Sequence, residues 1–384
     1  MSPPRGFSTA EYRDRVARAQ ALMAAADLSA LLLTTEPEFR YFTGFLTRFW
    51  ASPTRPWFLV IPAAGEPVAV IPTIGEAVLR RGWLQDVRTW PSPRPSDEGI
   101  SLTAEALWAI AGATGRIGVP SGAESRLGLP LADWARLQHL VGRRLEDDAG
   151  ILRSLRLVKS PAEIAKIGEA CAIAGRAFAR LPEVAGTSIG LDAVFRGFQS
   201  LCLQEGADWI GYLAGAAGQG GYDDVISPAA PTPLEAGDVL MLDTGAVFDG
   251  YYCDYDRNVA IGHVAPGIVE GHARLIEAIE AGAIAARPGA TAGALFDAMA
   301  PVLGVTESGA VGRLGHGLGM SLTEWPSILP GEETVLVPGI VLTLEPAIIL
   351  SSGRMMVHEE NIVIEETGCR FLSPRVTGPI EVLA

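Results

Sequence analysis

Cysteine is scarce. The chain has four in 384 residues, Cys171, Cys202, Cys253 and Cys369, and no CxxC pair. In a chain of this length that argues against a disulfide framework. Positive charge is also short: 30 Lys and Arg face 44 Asp and Glu, for a net charge of -14. No basic stripe is available to neutralise phosphates, so nucleic acid is not an expected partner. The acidity reads as a solubility feature. No run of about 18 apolar residues occurs, so no membrane span is expected. The opening MSPPRGFSTAEY lacks the apolar core of a signal peptide. A reduced, cytoplasmic protein is the expectation.

Apolar sequence, by contrast, is plentiful. Hydrophobic residues make up 48% of the chain, which fits a core-rich fold. The length exceeds one ordinary core, so two domains are expected, residues 1–152 and 153–384. In the first, Ser8 with Glu11 opens an amphipathic helix to about Asp27. Strands are expected at 30–34, 57–61, 67–71 and 116–119, with helices near 74–81 and 103–111. RYFTGF reads as an aromatic turn and strand after Pro37. The alternation indicates an α/β domain with a mixed or parallel sheet. Arg48, Phe49, Trp50, Arg55 and Trp57 form an aromatic and basic patch. It is either a packed cluster or a loop covering a site or subunit interface.

The second domain opens at Ser160-Pro161-Ala162-Glu163, an N-cap, a first-turn proline and a capping glutamate. Helices are expected at 161–181, 191–205, 267–286 and 291–303. Strands are expected at 209–214, 239–246, 251–261, 339–344, 355–364 and 369–372. Helices segregate from strands, so this half is α+β with a curved antiparallel sheet.

The chemistry is concentrated in this half. VLMLDTGAVFDGYYCDYDRNVAIG (239–262) carries Asp243 and Asp254 on two apolar arms. Asp249-Gly250 between them is a hairpin turn signal. A second hairpin-like stretch, 340–364, carries Glu345 and Glu359 on a similar plan. Between them His316 sits in GHGLG, where glycines allow close approach to a metal or substrate. Carboxylates buried on apolar strands need a cation. Four oxygen donors and one nitrogen can hold two divalent ions about 3.5–4 Å apart, with Mn²⁺ or Fe²⁺ favoured over Zn²⁺ or Co²⁺. Cys253 alternates away from Asp254 and is expected to pack. Glu324 and Glu360 are expected to point away from the site.

LEAGDVLMLDTGA, GYYCDYDRNVAIG, GHGLG, EWP, VLTLEPAI and VHEENIVIEETG together resemble the pita-bread metallopeptidase family. RYFTGF and LRLVKSPAEI resemble its creatinase, Xaa-Pro aminopeptidase and prolidase branch. The resemblance implies a creatinase-like N-terminal domain, a pita-bread catalytic domain and a homodimer. It implies Asp243, Asp254, His316, Glu345 and Glu359 as metal ligands, with Glu345 also taking a proton from the bridging water. The implied reaction is hydrolysis of a C–N bond in a small peptide or amide, Xaa-Pro-peptidase-like.

Two positions depart from the peptidases. Thr323 stands in LTEWP where they carry the histidine of HExP, and Ile226 stands near the place of a second histidine. Both histidines serve substrate and the developing oxyanion, so Thr323, as one remaining donor, joins Glu345 as a catalytic candidate. Tyr222, Asp223 and Asp224 lie beside Ile226 and suit a cationic or zwitterionic substrate; the plain alternative is a solvated acidic loop. Trp325 and Arg257 complete the candidate substrate-binding set, with Arg257 also placed to orient carboxylates. The same departures admit an alternative, a family member acting on an osmolyte or amino-acid derivative in the manner of ectoine hydrolase or dimethylsulfoniopropionate lyase. Creatinase-like members lack the full ligand set that this chain keeps.

Overall fold

The computed structural model describes residues 2–52, 55–226, 229–305 and 312–384. The chain divides into two compact units, Pro4–Arg156 and one made of Leu157–Ala384 with the first three residues. None of the helices among the described residues is long and apolar enough to cross a membrane.

The N-terminal unit is built on a six-stranded sheet. Its order is Asp86–Trp90, Val68–Pro72, Phe58–Pro62, Ala30–Leu33, Ile117–Val119, Glu146–Asp147. The three strands from Ala30 to Pro72 pair antiparallel and the outer ones parallel, a mixed sheet. ALLL and FLVIP are buried along their whole length, as continuous apolar runs should be when both faces are covered. The helices Thr9–Ala25 and Ile100–Ala111 supply that cover.

One element differs from expectation. RYFTGF is not a strand: Glu36–Thr43 is a helix. Thr35 is its N-cap, with Thr35 N donating to the Glu38 carboxylate at 3.4 Å. Pro37 lies in the first turn and Gly44 closes the end at φ 73°. Aromatic density points to a strand, but the cap, the early proline and the left-handed glycine decide. Rings of the aromatic patch pack on one another: Trp50 lies 5.6 Å from both Phe39 and Trp57, and Trp57 stacks on Phe45 at 4.9 Å. Pro53 and Thr54, within that patch, lie outside the described residues.

The second unit begins on the Ser160–Glu163 capping box, which starts the helix Pro161–Ala179. One sheet has the order Glu381–Leu383, Tyr255–Ile261, Asp238–Phe248, Trp209–Gln219. The other runs Glu324–Ser327, Gly315–Gly317, Val341–Leu344, Glu360–Glu365, Gly368–Phe371. Pairing is antiparallel except between Tyr255–Ile261 and Glu381–Leu383. Helices Pro266–Ala285 and Ala292–Leu303 pack together over an apolar core that includes Leu275, Leu295, Leu342 and Ile362.

Both lysines of the chain are buried here, each against a carboxylate: Lys159 on Glu324 at 3.1 Å and Lys166 on Asp249 at 2.5 Å. The second pair ties a helix to the Asp249-Gly250 turn. Those two residues have φ of 49° and 78°, as a two-residue hairpin of mirror-image type requires.

Candidate metal centre

Asp243 lies within the unbroken strand Asp238–Phe248. The other three carboxylates lie where strands are interrupted. Asp254 separates Tyr251–Tyr252 from Tyr255–Ile261. Glu345, followed by Pro346, separates Val341–Leu344 from Ala347–Ile349. Glu359 separates Met355–Val357 from Glu360–Glu365. Pro346 explains one break, because it has no N–H for the ladder.

The backbone groups freed at these breaks are satisfied elsewhere, as burial demands. Asn361 clamps Asp254: its Oδ1 accepts from Asp254 N at 2.9 Å and its Nδ2 donates to Asp254 O at 2.5 Å. Thr343 Oγ1 donates to the same carbonyl at 3.0 Å. Glu359 N donates to Asp256 Oδ1 at 3.0 Å, and Arg257 Nη1 donates to Glu359 O at 3.1 Å. Glu345 N donates to Leu314 O at 3.0 Å. Each side chain is thereby free to turn inward while its main chain stays anchored.

Register decides which groups face one another. In the first hairpin Asp243 is directly opposite Asp256, not Asp254, which is displaced by two residues. In the second, the pairs Leu344↔Glu360 and Ala347↔Val357 share one register, which places Glu345 opposite Glu359 across the break. The two hairpins therefore resemble each other in outline and differ in detail.

Asp243, Asp254 and Glu359 are buried, and ligand-capable oxygens of all three lie within 4.8 Å of one another. His316 Nε2 lies 3.2 Å from Asp254 Oδ2 and 3.2 Å from Glu345 Oε2. His316 Nδ1 is 2.8 Å from Gly317 O. Donation there leaves Nε2 as the nitrogen facing the carboxylates, the one a metal would take in exchange for its proton. Gly315 and Gly317 are required: a Cβ on either would meet backbone of a neighbouring strand at 2.2 Å.

Charge makes the case for a cation. Burial raises the pKa of Asp243 well above the carboxylate range, and the charges of Asp254, Asp256 and Glu345 add to it. Glu359 is raised by burial and then by Asp243, Glu345 and Asp254. Asp254 is raised by burial, against the hydrogen bond from His316. Burial would lower His316, yet its bonds to Asp254 and Glu345 carry it up to about 10. Asp243 Oδ1 is buried without a hydrogen-bond partner. Mutually repelling buried carboxylates with an orphaned oxygen and one aimed imidazole fit divalent metal.

The cluster opens onto a cavity of about 340 Å³. Thr323 and Ile226, the two departures from the peptidase pattern, both line it. Tyr222, Asp223, Asp224, Trp325 and Arg257 are not among its lining residues. Tyr222 is a core residue, donating to Asn258 Oδ1 at 3.0 Å and accepting from Val357 N at 2.7 Å. Asp223 is exposed, 3.5 Å from Arg354. Asp224 accepts from Ile226 N at 2.8 Å. Trp325 Nε1 donates to Thr334 Oγ1 at 2.9 Å. Arg257 holds Glu359 from behind and pairs with Glu360 at 3.1 Å.

Behind the carboxylate cluster lies a buried ionic layer that the sequence did not reveal. His358 sits 3.3 Å from Asp256 and 3.4 Å from Glu360. Ser373 also donates to Glu360. Glu360 and Glu324 point away from the cavity, and Cys253 is packed in the core. Arg313 and Tyr212, which do line the cavity, were also missed. Arg313 had one signal, its place three residues before His316.

Residues 165–366 match metallopeptidase family M24, and residues 15–158 match the creatinase/prolidase N-terminal domain. Divalent metal is implied by the first match. The probable dipeptidase PepE of Mycobacterium tuberculosis is 30% identical over 369 residues, covering 94% of this chain and 93% of that protein. An Xaa-Pro dipeptidase of Pyrococcus furiosus is 27% identical over 237 residues, 58% of this chain and 65% of the relative. Among solved structures, dipeptidase PepE from Mycobacterium ulcerans is 28% identical with a TM-score of 0.84, covering 98% of this chain and 99% of that one. A prolidase from Thermococcus sibiricus, 21% identical, superposes with a TM-score of 0.86 over 98% of this chain and 100% of that one, a likeness of fold.

Proposed function

The chain belongs to metallopeptidase family M24, and from that premise we propose that it hydrolyses the peptide bond of dipeptides, the Xaa-Pro kind included, with two divalent ions at the Asp243–Asp254–His316–Glu345–Glu359 cluster. The observation that carries this reading is three buried, mutually repelling carboxylates and an aimed imidazole opening onto a cavity small enough to suit a dipeptide. A metal held there would supply Lewis acidity and lower the pKa of a bound water toward neutral.

The protein's own groups do the rest. Glu345 is the most exposed of the four carboxylates, its side chain 23% accessible at the cavity face. It can take the proton of the attacking water and pass it to the leaving nitrogen. Metal in place of the Nε2 proton would leave His316 neutral, with Nδ1–H kept for Gly317 O. Asn361, Asp256 and Arg257 hold the ligand backbones in place. Thr323 offers a hydroxyl to the oxyanion in place of an imidazole, a donor that cannot shuttle protons. Mn²⁺ is the metal expected from the oxygen-rich donor set. A homodimer, carried over from the family resemblance, in the cytoplasm, as the composition suggests, is the expected setting.

Ile226 and Thr323 favour one second reading, hydrolysis or lysis of an osmolyte or amino-acid derivative. Proline and non-proline dipeptides should be assayed beside a cyclic-amidine osmolyte such as ectoine, with Mn²⁺ supplied. Turnover of dipeptides supports the first reading. Turnover of the osmolyte alone replaces it with the second.

A further inference from the structure

We propose that Tyr212 is a catalytic residue, whose phenol joins Thr323 in donating a hydrogen bond to the scissile carbonyl oxygen as negative charge develops there. This rests on the dipeptide reading above. Outside the proposed ligand set, three side chains lining the cavity carry proton donors: Tyr212, Arg313 and Thr323. Arg313 is paired with Glu345 at 3.7 Å. The neutral donors are the two hydroxyls.

Strand register puts the phenol on the face of the cluster. Tyr212 pairs with Gly245, and Ala214 pairs with Asp243. Directly paired residues share one face of a sheet, as do residues two apart on a strand, so Tyr212 rises from the same face as Asp243. On the other edge of the strand Asp238–Phe248, Val247 pairs with Tyr252 and Thr244 with Tyr255. That is one register on both sides of Asp254, which falls level with Gly245. Tyr212, Gly245 and Asp254 thus form one row across the sheet, and the residue between phenol and carboxylate has no side chain. The same glycine admits the segment that carries the second hydroxyl. A Cβ on Gly245 would lie 2.5 Å from Leu322 Cδ1 and 3.1 Å from Tyr212 Cβ. Leu322 therefore seats over Gly245, and Thr323 follows it along the cavity wall.

Packing alone does not call for the hydroxyl. Tyr212 is half-buried and its oxygen has no hydrogen-bond partner among the described residues. Phenylalanine would fill the same space without desolvating an O–H. Burial, and after it the charges of Asp243, Glu359, Asp254 and Glu345, push the pKa of the phenol up, so it stays a donor. A neutral O–H without a protein acceptor gains its partner when the carbonyl oxygen becomes negative, and a bond strengthened at that moment lowers the barrier. Tyr212 and Thr323 both keep their protons; Glu345 is the group that moves one.

The test uses the full-length, Mn²⁺-loaded protein with alanyl-alanine and alanyl-proline. A binding probe accompanies them, the phosphinic analogue of alanyl-alanine, whose tetrahedral phosphorus carries its oxygens where the carbonyl would be attacked. Tyr212→Phe should lower kcat about 10²–10³-fold, the usual loss for one oxyanion donor, with KM within about twofold. By calorimetry the variant should bind the analogue more weakly by a similar factor and the product alanine as tightly as the wild type does, at unchanged metal content by elemental analysis. That pattern supports the assignment, because loss of packing would not single out the tetrahedral ligand. An unchanged kcat, an unchanged affinity for the analogue, equal weakening of analogue and product, or a loss of activity that follows a loss of metal overturns it. If the wild type cleaves neither dipeptide, the dipeptide reading fails, and binding of the analogue still decides the role of Tyr212. A wild type that binds no analogue overturns that role as well.

Discussion

Stripping the metal should invert the pH dependence of stability. In the metal-free chain Asp243, Asp254 and Glu359 are raised by burial and mutual repulsion, and His316 is carried to about 10. A carboxylate raised on folding carries no penalty below its unfolded value of about 4 and the full penalty above its folded value. A raised histidine contributes stability that is complete below about 6.5 and lost as pH rises toward 10. Both signs agree: the folded metal-free chain holds more protons than the unfolded one, so it loses stability as pH rises. Each proton held in excess is worth about 1.4 kcal/mol per pH unit. For a unit of about 150–250 residues that is roughly 3–6 °C in Tm per pH unit. Metal displaces those protons, so its affinity rises with pH and the loaded chain should not show the decline. Thermal melts of chelator-treated and Mn²⁺-reconstituted protein between pH 5.5 and 8.5 would show the two curves diverging. A metal-free Tm that is flat or rises across that range would refute the reasoning, because the cluster would then not be short of positive charge.

Other substitutions probe single elements. Glu345→Gln should lower kcat by about 10²–10⁴-fold, the usual contribution of a positioned base, and metal content read by elemental analysis would separate lost proton transfer from lost ligation. Asn361→Ala removes the clamp on Asp254 and should weaken metal binding about 10–100-fold in a competition titration with a chelating dye. Thr323→Val keeps the shape and removes the donor; kcat should fall while KM stays within about twofold, since oxyanion donors act on the transition state. Gly250→Ala places a side chain at φ 78° and should cost about 1–2 kcal/mol by chemical denaturation.

Much of the centre was legible because its chemistry is written in residue type. Carboxylates inside apolar strands, an Asp-Gly turn and a histidine among glycines each carry their physical reason locally. Helix starts at Ser8 and Ser160 were equally local, since a cap and its partner lie three residues apart. What escaped depended on distance along the chain. Register placed Asp256, not Asp254, opposite Asp243, and no nearby residue announces a two-residue offset. His358 meets Asp256 across more than a hundred residues of sequence, so its buried layer had no signature. Tyr222 looked like a phenol for substrate, but its hydroxyl is taken up by Asn258 and Val357 N. The helix at Glu36–Thr43 was hidden by its aromatics, although Thr35 and Glu38 had already marked its start.

The interrupted second hairpin has a consequence for how this fold tolerates change. Its arms keep one register on both sides of the break, so Glu345 and Glu359 face each other only while equal numbers of residues separate them from the turn. An insertion or deletion in one arm would slide one glutamate past the other and turn alternate side chains to the wrong face. Residues 351–353 lie beyond the last hydrogen bond of the ladder, from Leu350 N to Arg354 O, and length changes there alter no pairing on the way to the cluster. Variation in loop length among descendants of this chain should therefore collect at that tip, while the arms behave as a ruler whose divisions cannot be changed one side at a time.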